Sequence, residues 1–213
     1  MAVRVTQLYV NGFDDNFSYL LFDEASRSGF IVDPSGTFQR VLHAVDTLDL
    51  KIEGIILTHT HPDHYDALAE ALERFPVPVY VGAPGAARIS APTIRPLEDG
   101  ATLALGACTI SVLHTPGHAS DAICLFVPAQ EKVPPQLISG DTLFVDGCGR
   151  TTPEAIEEMY ASLQRLKALP PETVIYPGHD YGPTPTATLA AQRTDNPYLC
   201  APDLHSFRER RLG

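Results

Sequence analysis

Three histidines and an aspartate lie within seven residues, in the segment THTHPDH at positions 58–64. Imidazole nitrogens and carboxylate oxygens are ligands that zinc, iron and manganese accept in proteins. Because the chain has only 8 histidines in 213 residues, this density indicates a metal site rather than a core or a solvated surface. His59 and His61 are two residues apart in an extended segment and can project to one side, whereas Asp63 and His64 turn toward a neighbouring point. We therefore expect two adjacent metal positions.

Three further candidate ligands recur where predicted strands end. His118, Asp141 and His179 each follow a strand on a tight turn that contains glycine. Loops at strand ends are where a rigid sheet can hold side chains convergent. With the four residues of the first segment, these make seven candidate ligands, which is enough for two metal ions.

The strand and helix pattern places these residues on loops. Residues 52–57 are rich in isoleucine and predict a buried strand, and apolar residues with helical spacing predict a helix from Asp63 to Pro76. Further helices are predicted at 37–50, at 84–89 and after an N-cap at Thr152, and residues 91–100 are expected to form a loop. The other predicted strands are 3–10, 17–22, 30–32, 77–81, 101–105, 108–113, 122–127, 136–139 and, as the last, 173–176.

Composition limits the classes of function. The chain is 44% hydrophobic and 19% charged, which suits one domain over residues 1–213. Its formal charge of -11 repels phosphate backbones and anionic lipid, so neither nucleic acid nor a membrane is an expected partner. No signal-peptide core and no 18-residue apolar run is present, so we expect a cytoplasmic protein. The sequence does not determine the oligomeric state, and a homodimer is compatible with it.

The motif at 58–64, taken with His118, Asp141 and His179, resembles the metallo-β-lactamase superfamily from Asn16 to about Leu199. The resemblance implies an α/β (α+β) fold, a four-layer αββα sandwich, which agrees with two strand-rich halves flanked by helices. It also implies a ligand set. His59, His61 and His118 would bind a first divalent ion (Zn, Fe or Mn), Asp63, His64 and His179 a second, and Asp141 would bridge them.

The segments SGDTLF at 139–144 and GCGR at 147–150 are similar to two branches, the glyoxalase II thioesterases and the persulfide dioxygenases. Both act on glutathione conjugates. The first implies hydrolysis of an S-acylglutathione with two metals, and Asp63 either orients the attacking hydroxide or serves only as a ligand. The second implies a single iron held by His59, His118 and Asp141.

Sequence features near these motifs favour different branches. The sequence YPGHDY at 176–181 is similar to the dioxygenases, but Thr152-Pro153 replaces the Asp-Phe that usually follows the arginine there. Residues 180–213 are too few for the helical glutathione domain of long glyoxalase II enzymes, whereas short glyoxalase II-like proteins fit in length. We therefore favour a thioesterase over a dioxygenase, with Arg150 as the candidate that binds a substrate anion.

A non-catalytic module, in which metal only stabilises the fold, is the least favoured hypothesis. Structural zinc sites are closed by four ligands and do not usually use seven residues.

Overall fold

The computed structural model describes residues 2–213, and two six-stranded sheets form the centre of the fold. In the first sheet the strands lie in chain order, antiparallel from β1 to β3 and parallel from β3 to β6. They are β1 Val3–Tyr9, β2 Phe17–Asp23, β3 Ser28–Val32, β4 Lys51–Leu57, β5 Val79–Gly82 and β6 Ile94–Leu97.

The second sheet has the order β14-β13-β10-β9-β8-β7, and β10 and β13 are its parallel pair. Its strands are β7 Thr102–Leu105, β8 Cys108–His114, β9 Ile123–Val127, β10 Gln136–Gly140, β13 Val174–Pro177 and β14 Ala187–Thr188. A small hairpin of β11 Leu143–Phe144 and β12 Gly147–Cys148 follows β10.

The two sheets pack face to face through one apolar cluster, to which Tyr19 and Ile56 of the first sheet and Ile110, Leu125 and Ile138 of the second belong. All seven residues of β2 are buried, because both faces of the first sheet are covered. Alternate side chains of this strand therefore enter different cores: Tyr19 and Leu21 lie between the sheets, and Leu20 and Phe22 lie on the outer face.

Helices cover both outer faces. Helices α1 Gln39–Thr47 and α2 Leu68–Arg74 pack on the first sheet, whereas α3 Ile156–Lys167, α4 Leu189–Asp195 and α5 Leu204–Leu212 pack on the second. The order of layers is helix, sheet, sheet, helix. The predicted αββα sandwich is confirmed.

Several local predictions were wrong. The helix expected from Asp63 to Pro76 is a 3-10 turn at Pro62–His64 followed by α2, because Tyr65 leaves helical geometry at φ -145°. The expected loop at 91–100 contains β6, where Pro96 is tolerated because this strand lies at the edge of the sheet.

At the C-terminal side, α3 has Ala155 rather than Thr152 at its N-cap. Thr152 instead accepts a hydrogen bond from the Ala155 N–H, at 3.3 Å, in the turn before the helix. The strand expected at 173–176 is not the last, because β14 pairs with it, and the two helices that follow were not predicted.

Within residues 2–213, no helix combines the length and the apolar character needed to cross a membrane.

Candidate metal centre

The seven predicted ligands meet at one edge of the sandwich, on loops that follow four strands. His59, His61, Asp63 and His64 follow β4 in the first sheet. The other three follow strands of the second sheet: His118 lies after β8, Asp141 after β10 and His179 after β13. Since β10 and β13 are parallel neighbours, Asp141 and His179 emerge side by side.

The first group consists of His59, His61 and His118. The Nδ1 atom of His61 lies 3.0 Å from His59 Nε2 and 3.0 Å from His118 Nε2. His59 is fully buried, whereas His61 and His118 are half-buried and border a cavity. Three imidazole nitrogens therefore converge on one point at the base of that cavity.

The second group consists of Asp63, His64 and His179. His64 Nε2 lies 3.2 Å from His179 Nε2. Asp63 Oδ2 lies 3.7 Å from His64 Nε2 and 3.5 Å from His179 Nε2. The two histidines are buried, and the carboxylate of Asp63 is 26% exposed toward the cavity.

Asp141 lies between the two groups. Its Oδ1 is 3.3 Å from His64 Nε2, and its Oδ2 is 3.2 Å from His179 Nε2 and 3.5 Å from His118 Nε2. Although Oδ1 is buried, it makes no hydrogen bond within residues 2–213. A buried carboxylate oxygen without a donor is costly unless a cation binds it.

The spacing of these atoms fits metal ligation. Atoms bound to one ion at about 2.0–2.2 Å lie roughly 3–3.5 Å apart in tetrahedral geometry. Within each of three subsets, the ligand atoms lie no more than 4.8 Å apart. The subsets are His59, His61 and His118; Asp63, His64 and His179; and His59, His64 and Asp141. The residues present therefore fit a pair of metal ions.

The outward-facing nitrogen of each of four histidines has a partner that orients the ring. Such partners are a regular feature of metal-binding histidines, because they fix the tautomer and aim the other nitrogen at the metal. The Nδ1 atom of His59 lies 3.2 Å from Thr58 Oγ1, and that of His64 lies 3.0 Å from Asp33 Oδ2. The Nδ1 atom of His118 lies 2.9 Å from the Arg150 carbonyl oxygen, and that of His179 lies beside the Asp14 carbonyl oxygen. All four rings thus direct Nε2 inward.

The electrostatics of the centre differ between the two groups of ligands. Burial lowers the pKa of His59 well below its usual range and lowers that of His118 in the same direction. Burial works to raise the pKa of Asp141, but His64 and His179 outweigh it and hold that pKa well below its usual range. Burial works to lower the pKa of His64 and of His179, but Asp141 outweighs it and raises both. Neutral imidazole is the form that binds a divalent cation, so binding at the second group would release protons from these histidines.

Two orienting residues were missed by the sequence analysis. Asp33 is buried at the end of β3, where its carboxylate accepts hydrogen bonds from Thr58 N at 2.7 Å and Thr58 Oγ1 at 2.6 Å, besides contacting His64. The fully buried Asn16 donates from Nδ2 to the Asp63 carbonyl at 3.1 Å and to Asp63 Oδ2 at 3.2 Å. Asn and Asp are also common turn residues, which explains why neither was recognised, although a polar residue directly after a buried strand, such as Asp33, is a signal for a site.

A cavity of about 370 Å³ opens above the two groups. Arg150, the predicted anion-binding residue, is exposed on its wall near Thr151 and Thr152. Tyr181 lines another part, stacks on His179 with ring centroids 4.7 Å apart and donates a hydrogen bond to Asp14. The arrangement can hold a small molecule with its reacting atoms over the metal ligands.

Comparison with known proteins agrees with this geometry. The profile of the metallo-beta-lactamase superfamily matches residues 11–179. ETHE1 from Myxococcus xanthus is 30% identical, with a TM-score of 0.83, over 100% of this chain and 91% of its own. TTHA1623, in a di-iron-bound form, is 31% identical, with a TM-score of 0.70, over 92% of this chain and 99% of its own.

A metallo-beta-lactamase from Staphylococcus aureus subsp. aureus COL shares the fold at 23% identity, with a TM-score of 0.87, over 100% of this chain and 67% of its own. Members of the family are mostly enzymes. The sandwich fold, the converging histidines and aspartates and the matched profile lead to one conclusion: this chain belongs to the metallo-beta-lactamase superfamily.

Proposed function

We propose that the protein is a metal-dependent hydrolase, a short glyoxalase II-like thioesterase that acts on S-acylglutathione or a related thioester. The observation that supports this most is the presence of two complete ligand groups with Asp141 between them. The 31% identity to a protein solved with two irons favours the same two-metal interpretation.

Each of the seven residues has a role in this proposal. His59, His61 and His118 would hold one divalent ion, Zn, Fe or Mn, and Asp63, His64 and His179 a second, with Asp141 shared. When bound, such a pair supplies hydroxide near neutral pH and polarises a substrate carbonyl. That hydroxide would take the place of the serine or cysteine nucleophile of other thioesterases.

Asp63 is the residue that we propose handles the proton of the attacking water. Its carboxylate is partly exposed and lines the cavity, so it lies within reach of a bound substrate. A hydrogen bond from Asn16 Nδ2 to Oδ2 holds the carboxylate in place, and a second one to the Asp63 carbonyl holds its backbone. A positioned carboxylate can orient water or accept its proton as the thioester carbonyl is attacked.

Arg150 is the proposed contact for the thiol portion of the substrate. Because the chain has a formal charge of -11, an anionic conjugate needs a local cation to bind. The exposed guanidinium on the cavity wall can pair with a carboxylate of glutathione. We therefore propose a small-molecule partner in a cytoplasmic setting, and neither nucleic acid nor a membrane surface.

The deciding experiment combines metal analysis with two assays on anaerobically purified protein. We expect two metals per chain and release of thiol from S-lactoylglutathione, with loss of turnover in Asp141→Ala. One iron per chain, together with oxygen consumption on glutathione persulfide and no thioester turnover, would reject the thioesterase.

A second candidate is a persulfide dioxygenase with a single iron on His59, His118 and Asp141. The 30% identity to ETHE1 over the full chain favours this alternative. The two reactions differ in metal stoichiometry and in their need for oxygen, so the same experiment separates them. Turnover in either assay would exclude a purely structural role for the metals.

A further inference from the structure

A charged cluster lies beside the metal centre and outside its ligand set. Arg88 ends the 3-10 helix Ala83–Arg88, and its guanidinium contacts three side chains. Its NH1 lies 3.0 Å from Asp121 Oδ1 and 3.3 Å from Thr60 Oγ1, and its NH2 lies 2.9 Å from Ser120 Oγ. A single side chain thus connects two loops that are far apart in sequence.

Both loops carry ligands of the first group. Thr60 lies between His59 and His61, and Ser120 and Asp121 follow His118 closely. No residue of the second group is among the contacts of Arg88 within the described chain; Asp33, Asn16 and Asp14 orient that group. Arg88 therefore connects the two loops at the residues nearest to the first group.

Asp121 shows that this cluster is built into the protein interior. Its side chain is fully buried, and its Oδ2 has no hydrogen-bond partner within residues 2–213. A Cβ atom at Gly85 would lie only 2.3 Å from that oxygen, so the glycine makes the close approach possible. A buried carboxylate needs a cation, and Arg88, half exposed to solvent, supplies it.

We propose that Arg88 and Asp121 form a positioning pair for the first metal, holding the loops of His61 and His118 at the separation that ligation requires. This inference rests on the metal assignment of the proposed function. Buried ion pairs add little net stability compared with apolar packing. The role that we assign to this pair is therefore to fix the distance between the two loops, and not to raise the free energy of unfolding.

The test measures metal affinity at each position separately. His179→Ala leaves the first group intact, and His61→Ala leaves the second, so each background isolates one position for Co²⁺ titration followed by absorption spectroscopy. In the His179→Ala background, we expect Arg88→Gln to weaken Co²⁺ binding roughly 10–100-fold, the usual effect of losing a residue that orients a ligand. In the His61→Ala background, the affinity should change less than about threefold.

Two variants control for general loss of structure. Arg208→Gln breaks an exposed pair, Arg208 NH2 to Glu157 Oε1 at 3.6 Å, and should leave both affinities unchanged. Arg88→Lys keeps the charge and should restore part of the first-position affinity. If Arg88→Gln folds poorly, Arg88→Gln/Asp121→Asn removes both charges and should show the same selective loss.

The outcomes are distinct. Equal weakening in both backgrounds would show a merely structural role, and unchanged Co²⁺ binding in both would reject the pair while leaving the proposed function intact. If His179→Ala binds no Co²⁺ at all, the metal assignment itself fails, and the positioning role fails with it.

Discussion

At the residue scale, Asp141 differs from the other six candidate ligands because its two oxygens face different neighbours. Oδ1 approaches His64, whereas Oδ2 lies near both His118 and His179. His64, in contrast, contacts ligand atoms of the second group and Asp141 and none of the first group's nitrogens within hydrogen-bond distance. The two residues should therefore differ in how many metals depend on them.

We predict that Asp141→Ala loses both metals together, whereas His64→Ala keeps the first. The physical reason is that one shared carboxylate contributes to both positions and one imidazole to a single position. Inductively coupled plasma mass spectrometry after gel filtration would give the stoichiometry of each variant. Equal metal retention in both variants would refute the assignment.

Asp33 stabilises the histidine loop even without metal, because its carboxylate accepts two hydrogen bonds from Thr58 and contacts His64. We predict that Asp33→Ala lowers the free energy of unfolding of the metal-free protein by about 3 kcal/mol, since buried donors lose their acceptor. Urea titration followed by circular dichroism measures this. Glu157→Ala, which removes an exposed ion pair with Arg208, should cost at most about 1 kcal/mol. Similar losses in the two variants would contradict the role of Asp33.

At the scale of elements, strands were predicted better than helix boundaries, and the reason is physical. A strand such as β2 is apolar throughout because helices and the second sheet cover its two faces, and that pattern is visible in the sequence. The 3-10 turn at Pro62–His64 has no such pattern of apolar residues, because two of its three residues are candidate metal ligands and none follows a helical period. Likewise, β14 has only two residues and depends on pairing with β13.

Glycine in the turn before His118 couples this ligand to helix α3. Gly117 has φ +133°, and a Cβ there would lie 2.3 Å from the Met159 Cα atom. We predict that Gly117→Ala lowers the free energy of unfolding by about 3 kcal/mol or more and weakens metal binding, because backbone rather than a flexible side chain must move.

Gly100 provides a matched control for that variant. It also has a positive φ, +76°, but no atom of the described chain outside its immediate neighbours lies within 4 Å of the position that a Cβ would take there. Gly100→Ala should therefore cost only the conformational strain, about 1 kcal/mol, and leave metal binding unchanged. Equal thermal shifts for the two variants would show that the contact with α3 is unimportant.

At the scale of the whole molecule, the sequence predicted the layered fold and the meeting of seven residues, but not the branch of the superfamily. Ligand residues are shared by hydrolases and dioxygenases, so residue types alone leave the two open. The orienting residues Asp33, Asn16 and Arg88 could be recognised only after folding, because each lies far in sequence from the side chain that it orients. Long-range contacts of this kind have no periodic signature.

We predict that metal binding stabilises the whole fold. An ion that binds only the native state, at a free concentration about a thousand times its dissociation constant, adds about 4 kcal/mol to the free energy of unfolding. Differential scanning calorimetry should show a lower Tm after chelation and recovery after metal is restored. The Asp141→Ala protein should show almost no response, and an equal response there would contradict the prediction.

The candidate ligands are divided between the two sheets: four follow β4, and His118, Asp141 and His179 follow strands of the second sheet. Neither half of the chain carries a complete group. During synthesis, the complete centre therefore forms only after His179 has left the ribosome and the two sheets have docked. Even the first group needs His118 from the second sheet, so a bound ion would mark a chain in which the two sheets have already packed together.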